Sequence, residues 1–337
     1  MPHQKTDSLP PTQIMEDLWA AWRTQTLAAA VELGLFGQLA EGCGTAERIA
    51  ASLGVSEPAL RRLLDALVGL GYLKKRAAEY ELEPIARRYL VPGGEFHVEG
   101  IAQFARRMSD DWWRLAEVIK SGRSLANVDD ESRAREFFPI LVRHIFPWSF
   151  AAASAAVSAL PKTARGRIQR ILDVAAGSAA WSIAFARALG SARVTVLDFP
   201  EVIDIARSYA ERFGVADRFS YLEGNLRTTE FPQTSYDLVI LGHIIHSEGE
   251  QRGRQLIAKA FSALDDNGLL LIADLIPTDN RTGPAMPLLF SLNMLLHTGS
   301  GDVFTMAEYR HWLAEAGFKK VATLRVPAPS PLILATK

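Results

Sequence analysis

One stretch of this chain leaves few folds open. Residues 171 to 207 read ILDVAAGSAAWSIAFARALGSARVTVLDFPEVIDIAR. A short apolar run, Ile171-Leu172, ends at Asp173, and a loop of small residues follows, Ala175-Ala176-Gly177-Ser178-Ala179-Ala180. Trp181, Ala184, Phe185, Ala188 and Leu189 then recur at i, i+3, i+4, i+7 and i+8, the spacing of one helix face. A second apolar run, Val194 to Leu197, ends at Asp198. Strand, loop, helix, strand is a βαβ unit. Its loop has almost no side chains, so its backbone is built for close approach. Asp198 follows Asp173 by 25 positions (198 − 173), about where a doubly wound fold places a carboxylate for the two hydroxyls of a ribose. The stretch points to a nucleoside-containing cofactor.

Two phosphate-binding alternatives fail. A dinucleotide fingerprint, G-x-G-x-x-G, needs glycines where this loop has only Gly177. A G-x-x-x-x-G-K-[ST] phosphate loop is absent from the chain. What remains is a loop that can approach a ligand lacking phosphate, with an acid for its ribose.

Further strand candidates lie at 218–222, 236–241 and 268–274, with a last one at 331–336, separated by helical stretches. With 169–174 and 193–198 they predict an α/β domain with a parallel sheet and right-handed crossovers. Ligands of such sheets bind at the carboxyl ends of the strands. Those ends carry Asp173, Asp198, Asn225, His246 and Asp274.

Five ordered motifs now carry a resemblance. They are Asp173-Val174-Ala175-Ala176-Gly177-Ser178, Leu197-Asp198-Phe199-Pro200-Glu201-Val202, Glu223-Gly224-Asn225-Leu226, Gly242-His243-Ile244-Ile245-His246, and Asn267-Gly268-Leu269 leading to Ala273-Asp274. From residue 15 to residue 337 the chain resembles class I S-adenosylmethionine-dependent methyltransferases. Within them it is similar to small-molecule O-methyltransferases with an N-terminal winged-helix dimerisation domain, a group of plant phenolic and bacterial natural-product enzymes. The resemblance implies a Rossmann-like seven-stranded domain behind a mostly helical dimerisation domain, a homodimer, and S-adenosyl-L-methionine as cofactor. It implies transfer to a hydroxyl of an aromatic or polyketide-like small molecule. The expected cofactor-binding residues are Asp173, Ala175, Gly177, Asp198, Phe199, Asn225, Leu226 and Gly242.

The resemblance makes His246 the general base. A histidine suits that task because its ordinary pKa near 6.5 leaves it able to accept a proton at neutral pH. Asp274 is the candidate to hold its other ring nitrogen. The pattern departs from the family in places. Ala stands at 175, 176 and 179 of the loop, and Ala is costly at 179 if that position needs positive φ. Asn225 stands where Asp is common, with an amide oxygen that can still accept from an adenine amino group. Ser247 follows the histidine where Asp is common. Val303 stands where a second acid often brackets the histidine. The departures leave a non-methylating reaction on the same scaffold as an alternative, beside N- or C-methylation.

Ahead of the catalytic part, residues 1–12 read as a loose arm and 13–100 as the winged-helix unit. A helical, aromatic-rich linker at 101–165 precedes the cofactor-binding domain at 166–337. Met15, Leu18, Trp19 and Trp22 share one helix face, and a helical pattern continues from 24 to 41. Thr45 and Ser56 are candidate helix caps, Gly54 a helix stop, and Tyr72–Lys75 with Tyr80–Glu83 a hairpin. A winged helix can bind DNA, but its candidate recognition helix mixes Arg61 and Arg62 with Glu57 and Asp65. Met108, His144 and Trp148 in the linker are substrate-pocket candidates, as are Phe290, Asn293 and Met294 in the apolar segment 287–297.

Composition narrows the classes. A length of 337 residues suits about two domains, and 48% hydrophobic with 22% charged residues is ordinary for a globular chain with a sizeable core. A net charge of −1 gives no electrostatic case for nucleic acid or an anionic membrane. The single cysteine, Cys43, excludes an internal disulfide. No apolar leader pattern and no run of 18 apolar residues is present, so a cytoplasmic location is the expectation. No Cys, His or carboxylate cluster has metal-ligand spacing, which predicts a metal-independent enzyme.

Overall fold

The structure, a computed structural model, describes residues 10–42, 44–98, 100–125 and 130–337. Most of the expected N-terminal arm and Cys43 lie outside them. The chain divides into two compact units, Met1–Ser109 and Asp110–Lys337.

The first unit is helical with a small sheet. It contains α1 (Thr12–Glu32), α2 (Leu35–Ala40), β1 (Gly44–Thr45), α3 (Ala46–Leu53), α4 (Glu57–Gly69), β2 (Leu73–Arg76), β3 (Glu79–Leu82) and α5 (Pro84–Tyr89). The helix α6 (Ile101–Trp112) runs from it into the second unit. The helical pattern over 24–41 is broken at Gly34, whose φ of 69° ends α1 and starts α2. Thr45 caps α3 by accepting from the Arg48 N–H, and Gly54 closes it in the left-handed region. Ser56 stands at the N-cap of α4, yet its side chain makes no capping bond. The core is a set of leucines and aromatics, with Leu60, Leu64 and Leu67 of α4 buried one helical turn apart against Leu35, Phe36, Leu73 and Tyr80. The hairpin β2–β3 is the expected wing. Lys75 and Arg61 are both paired with Asp65, at 2.7 and 3.4 Å. These cations are partly neutralised within the unit. On α1, Ile14, Leu18, Trp19 and Trp22 form an exposed stripe, with the two indoles stacked 5.5 Å apart.

The second unit begins with α7 (Leu115–Ser121), α8 (Glu131–Ala159) and the single turn α9 (Lys162–Arg165). It continues through β4 (Arg170–Val174), α10 (Ala180–Leu189), β5 (Arg193–Asp198), α11 (Pro200–Arg212), β6 (Phe219–Glu223) and β7 (Tyr236–Gly242). It ends with α12 (Ile245–Ala263), β8 (Leu264–Ala273), α13 (Ala285–His297), α14 (Met306–Ala316), β9 (Lys320–Leu324) and β10 (Leu332–Thr336). The seven strands run in the order β6-β5-β4-β7-β8-β10-β9. The first five are parallel, and β10 is antiparallel to both neighbours. The parallel core is the one the strand pattern predicted, and the seven-stranded, Rossmann-like whole is what the resemblance implied.

Strands β4 and β7 are apolar because both faces are covered, and Leu172, Val174, Val239 and Leu241 are fully buried. α8 is long and apolar enough, by length and composition, to pass as a membrane span. Its apolar face has a different explanation: Phe146 and Phe150 pack on Tyr209 and Phe213 of the α11 region, with Phe146 and Tyr209 rings 4.2 Å apart. It is a core helix of the second unit.

Candidate functional site

The site is built on the carboxyl ends of the parallel strands. The loop after β4 turns sharply, with φ of 51° at Ala175, 60° at Gly177 and 56° at Ala179. Position 179 does need the left-handed region, as does 175. An L-residue there costs about 1 kcal/mol or more. Ala175 is the cleaner test, because Ala179 is buried and glycine there would also lose packing. Ala175→Gly is therefore expected to raise stability by about 1 kcal/mol, read as a shifted denaturant midpoint at constant slope. An unchanged or lower midpoint would count against strain in this loop. At Gly177 a side chain would strike Val142 of α8, 2.9 Å from where its Cβ would sit.

Asp198, at the end of β5, holds this loop. Its carboxylate accepts from the Gly177 and Phe199 N–H groups, each at 2.8 Å. Burial pushes its carboxyl up to about 6, against the pull of those two donors. Asp173 lies beneath the loop. It accepts from the Ser182 hydroxyl at 2.6 Å and the Ser182 N–H at 3.2 Å, and so anchors the first turn of α10. Burial pushes it up to about 7.

Asn225, after β6, is already engaged. Its Oδ1 accepts from the Arg227 N–H at 3.0 Å and its Nδ2 donates to Glu131 at 2.9 Å. One lone pair of the amide oxygen remains for a ligand. Leu226 packs on the sheet core. Arg135, one turn along α8 from Glu131, pairs with Glu201 at 3.0 Å and lies 5.5 Å from the Phe199 ring. The first turns of α8 thus cross the same ground as Asn225, Phe199 and the loop. At Gly242, the end of β7, a Cβ would stand 2.7 Å from the Trp181 indole. The buried Trp181 Nε1–H has no partner among the described residues.

The second half of the site follows β7. His246 and Asp274 are 2.5 Å apart, Nδ1 to Oδ1, and both are buried. Asp274 also accepts from the N–H groups of His246 (3.1 Å) and Leu275 (2.8 Å), and from the Tyr309 hydroxyl (2.7 Å). Burial alone would raise its carboxyl, but His246, by charge and hydrogen bond, outweighs this with help from His243 and Tyr309 and holds it below its ordinary value. Gly249, with φ 75°, interrupts α12 immediately after this turn, and a side chain there would run into the Ser300 carbonyl. Glu248 is buried against Arg227 at 2.9 Å and Arg252 at 3.2 Å, tying the turn that carries His246 to the loop after β6.

The substrate candidates separate. The edge of Phe290 meets the His246 ring at 4.8 Å and 83°. Trp148, partly exposed, stacks on His243 at 5.1 Å and 23°. Asn293 has a buried Oδ1 with no partner among the described residues, and Met294 is buried on the same helix. His144 is half-buried on α8, and Met108 belongs to the first unit, on α6. His243 holds φ 60°, and its enclosure pushes the imidazole down to about 4, so it is neutral at pH 7.

The expectation that no metal-type cluster exists needs correction. The fold gathers His243, His246 and Asp274, with one potential ligand atom from each within 4.8 Å of the others. Sequence spacing could not show this, because Asp274 comes from the next strand. The carboxylate is already saturated by four donors. That arrangement suits an acid–base pair better than a metal ligand. Sequence reasoning missed Tyr309 and Trp181, whose polar atoms were hidden inside aromatic patterns.

A small-residue loop, a ribose-type carboxylate one strand away and a histidine–aspartate pair beyond the next strand define an S-adenosylmethionine-dependent methyltransferase. The comparisons narrow this. Residues 152–319 match the O-methyltransferase domain, and residues 15–92 match the O-methyltransferase dimerisation domain. The chain is 32% identical to 3-hydroxy-5-methyl-1-naphthoate 3-O-methyltransferase of Streptomyces sahachiroi, over 95% of this chain and 92% of that protein. It is 28% identical to the tetracenomycin polyketide synthesis 8-O-methyl transferase TcmO of Streptomyces glaucescens, over 97% of each. Its fold matches human N-acetylserotonin methyltransferase in complex with S-adenosylmethionine at a TM-score of 0.84, with 22% identity over 99% of both chains. The chain belongs to the O-methyltransferase family that carries an N-terminal dimerisation domain. It is an S-adenosylmethionine-dependent O-methyltransferase of the polyketide and natural-product type.

Proposed function

We propose that this enzyme methylates a hydroxyl on an aromatic, polyketide-like acceptor, with His246 as general base and Asp274 as the group that holds it. The observation that carries the reading is the buried His246–Asp274 bond. An ionised Asp274 can only accept, so Nδ1–H donates to it and Nε2 is the nitrogen left to accept the acceptor's proton. The bound cofactor supplies an electrophilic methyl group on its sulfonium. Asp198 would hold the ribose hydroxyls, and Ala175, Gly177, Gly242, Phe199, Asn225 and Leu226 would make up the rest of the cofactor seat. The residues fit such a ligand: the loop offers little bulk, and the Trp181 N–H is an orphan donor beside Gly242. Phe290, Trp148 and His243 offer flat faces and edges for a planar acceptor. The names of the Streptomyces relatives, a hydroxynaphthoate and a tetracenomycin enzyme, support an aromatic one.

The test is a panel of hydroxynaphthoates and simple phenols with S-adenosylmethionine, following S-adenosylhomocysteine and product by mass spectrometry. Methyl ethers formed one-to-one with S-adenosylhomocysteine support the reading. Methylation at carbon or nitrogen only, or product without S-adenosylhomocysteine, would overturn it.

The homodimer belongs to the same reading. Ile14, Leu18, Trp19 and Trp22 lie within or beside the matched dimerisation segment and together form an exposed apolar stripe, the kind of contiguous patch that marks an interface. The double variant Leu18→Glu, Trp22→Glu is expected to convert a dimer into a monomer by light scattering. A dimer that persists unchanged would place the interface elsewhere.

A further inference from the structure

We infer that Tyr309 is a positioning residue of the reaction: its hydroxyl locks Asp274 in the one orientation that presents His246 with Nε2 bare. The inference deepens the reading of His246 as base and rests on it. Four donors surround the Asp274 carboxylate, two to each oxygen. Oδ1 takes the His246 Nδ1–H at 2.5 Å and the Leu275 N–H at 2.8 Å. Oδ2 takes the His246 N–H at 3.1 Å and the Tyr309 hydroxyl at 2.7 Å. Two of these are backbone groups fixed by the fold, and one is the base itself. Tyr309 is the one remaining side chain. Without it, Oδ2 would keep a single long bond, and the carboxylate could pivot away from His246.

Tyr309 is well placed to resist that pivot. It is fully buried on α14, its ring edge-on to Trp312 at 5.5 Å and to Phe304 at 6.3 Å. The helix that carries it starts at a capping box between Thr305 and Glu308, which fixes its register. The nearby acid, Glu308, is occupied by the Thr305 N–H at 2.6 Å and lies 3.7 Å from Arg281. The groups that face Asp274 are therefore His243 and His246 after β7 and the neutral phenol of Tyr309 from α14. A phenol does here what a second carboxylate could not. A second buried negative charge would compete with Asp274 for protons, whereas a neutral donor satisfies an oxygen and adds no charge. This accounts for Val303, which cannot bracket the histidine and is fully buried.

The experiment is nuclear magnetic resonance of the histidine ring nitrogens in the S-adenosylhomocysteine complex. It compares the wild type with Tyr309→Phe, and His246→Asn assigns the signal. The phenylalanine keeps the ring and removes only the hydroxyl. The wild type is expected to show His246 protonated at Nδ1, with a low-field signal. Tyr309→Phe is expected to mix the two tautomers and weaken that signal. Its kcat should fall about tenfold, the size of one lost hydrogen bond to a charged group, with KM within about twofold. S-adenosylhomocysteine affinity should stay the same. A wild-type His246 not protonated at Nδ1 overturns the inference without any variant. So does a Tyr309→Phe protein with the wild-type tautomer and wild-type kcat. Full turnover by His246→Asn would instead overturn the reading of His246 as base, whichever tautomer the wild type shows.

Discussion

His246→Ala should lower kcat by about 10² to 10⁴, the usual contribution of a positioned general base. Binding of S-adenosylhomocysteine should be unchanged, because His246 sits beyond β7 while Asp198, the carboxylate proposed for the ribose, sits at the end of β5. The folded state should lose some stability, because the ring leaves a cavity and Asp274 loses the partner that most offsets its burial, but the protein should stay folded. The buried ring bonds Asp274 through Nδ1, and Asp274 keeps its bonds to the Leu275 N–H and Tyr309 in the variant. Alanine also keeps the backbone N–H that donates to Asp274. Activity within a few-fold of wild type, with the cofactor site intact by titration calorimetry, would remove His246 from the chemistry.

Asp198→Ala is the second large effect. With the ribose seated at the end of β5, the carboxylate would accept from both ribose hydroxyls, and each such bond to a charged acceptor contributes about 1.5–3 kcal/mol. The expected loss of S-adenosylhomocysteine affinity is therefore about a hundredfold or more. Part of it comes through the loop, because Asp198 also holds the Gly177 N–H. The same group makes a pH prediction. Burial pushes the Asp198 carboxyl up to about 6 in the cofactor-free protein. The ribose needs it ionised, so below pH 6 binding must first expel a proton. Affinity should be flat above that pH and fall by up to about tenfold per unit below it. An affinity that rises on acidification, or an Asp198→Ala protein that binds like the wild type, would place the ribose elsewhere.

Much of this was legible in the sequence, for physical reasons. Buried parallel strands read as apolar runs with a polar group at or near the carboxyl end, Asp173 in β4, Asp198 closing β5 and His246 a few residues past β7, so these strands and groups stood out. The sequence raised a cost at Ala179 on condition of a positive φ, and the φ of 56° meets that condition; the same conformation at Ala175, φ 51°, was not foreseen. What stayed hidden is equally physical. β9 was not among the strand candidates because Lys320–Leu324 is largely exposed and lacks a clean alternation. Ser56 was a good cap by type, yet cap type alone does not fix its side-chain bond. The wider site was out of reach because its bonds are long-range. Tyr309 meets Asp274 across 35 positions and Asn225 meets Glu131 across 94, and no periodicity encodes either.

The strand order has a consequence for how such a chain diversifies. Reading across β6, β5 and β4, and at Gly242 of β7, the terminal residues are those proposed to serve the methyl donor, while the turn after β7, the end of β8 and the helix α13 carry those proposed to meet the acceptor. Phe290, Asn293 and Met294 all sit on α13, which contributes none of the donor-side groups. A lineage can therefore inherit the donor's seat unchanged and drift in α13 toward new acceptors, one conservative and one exploratory half sharing a single sheet. Swapping that helix between relatives is the corresponding engineering route.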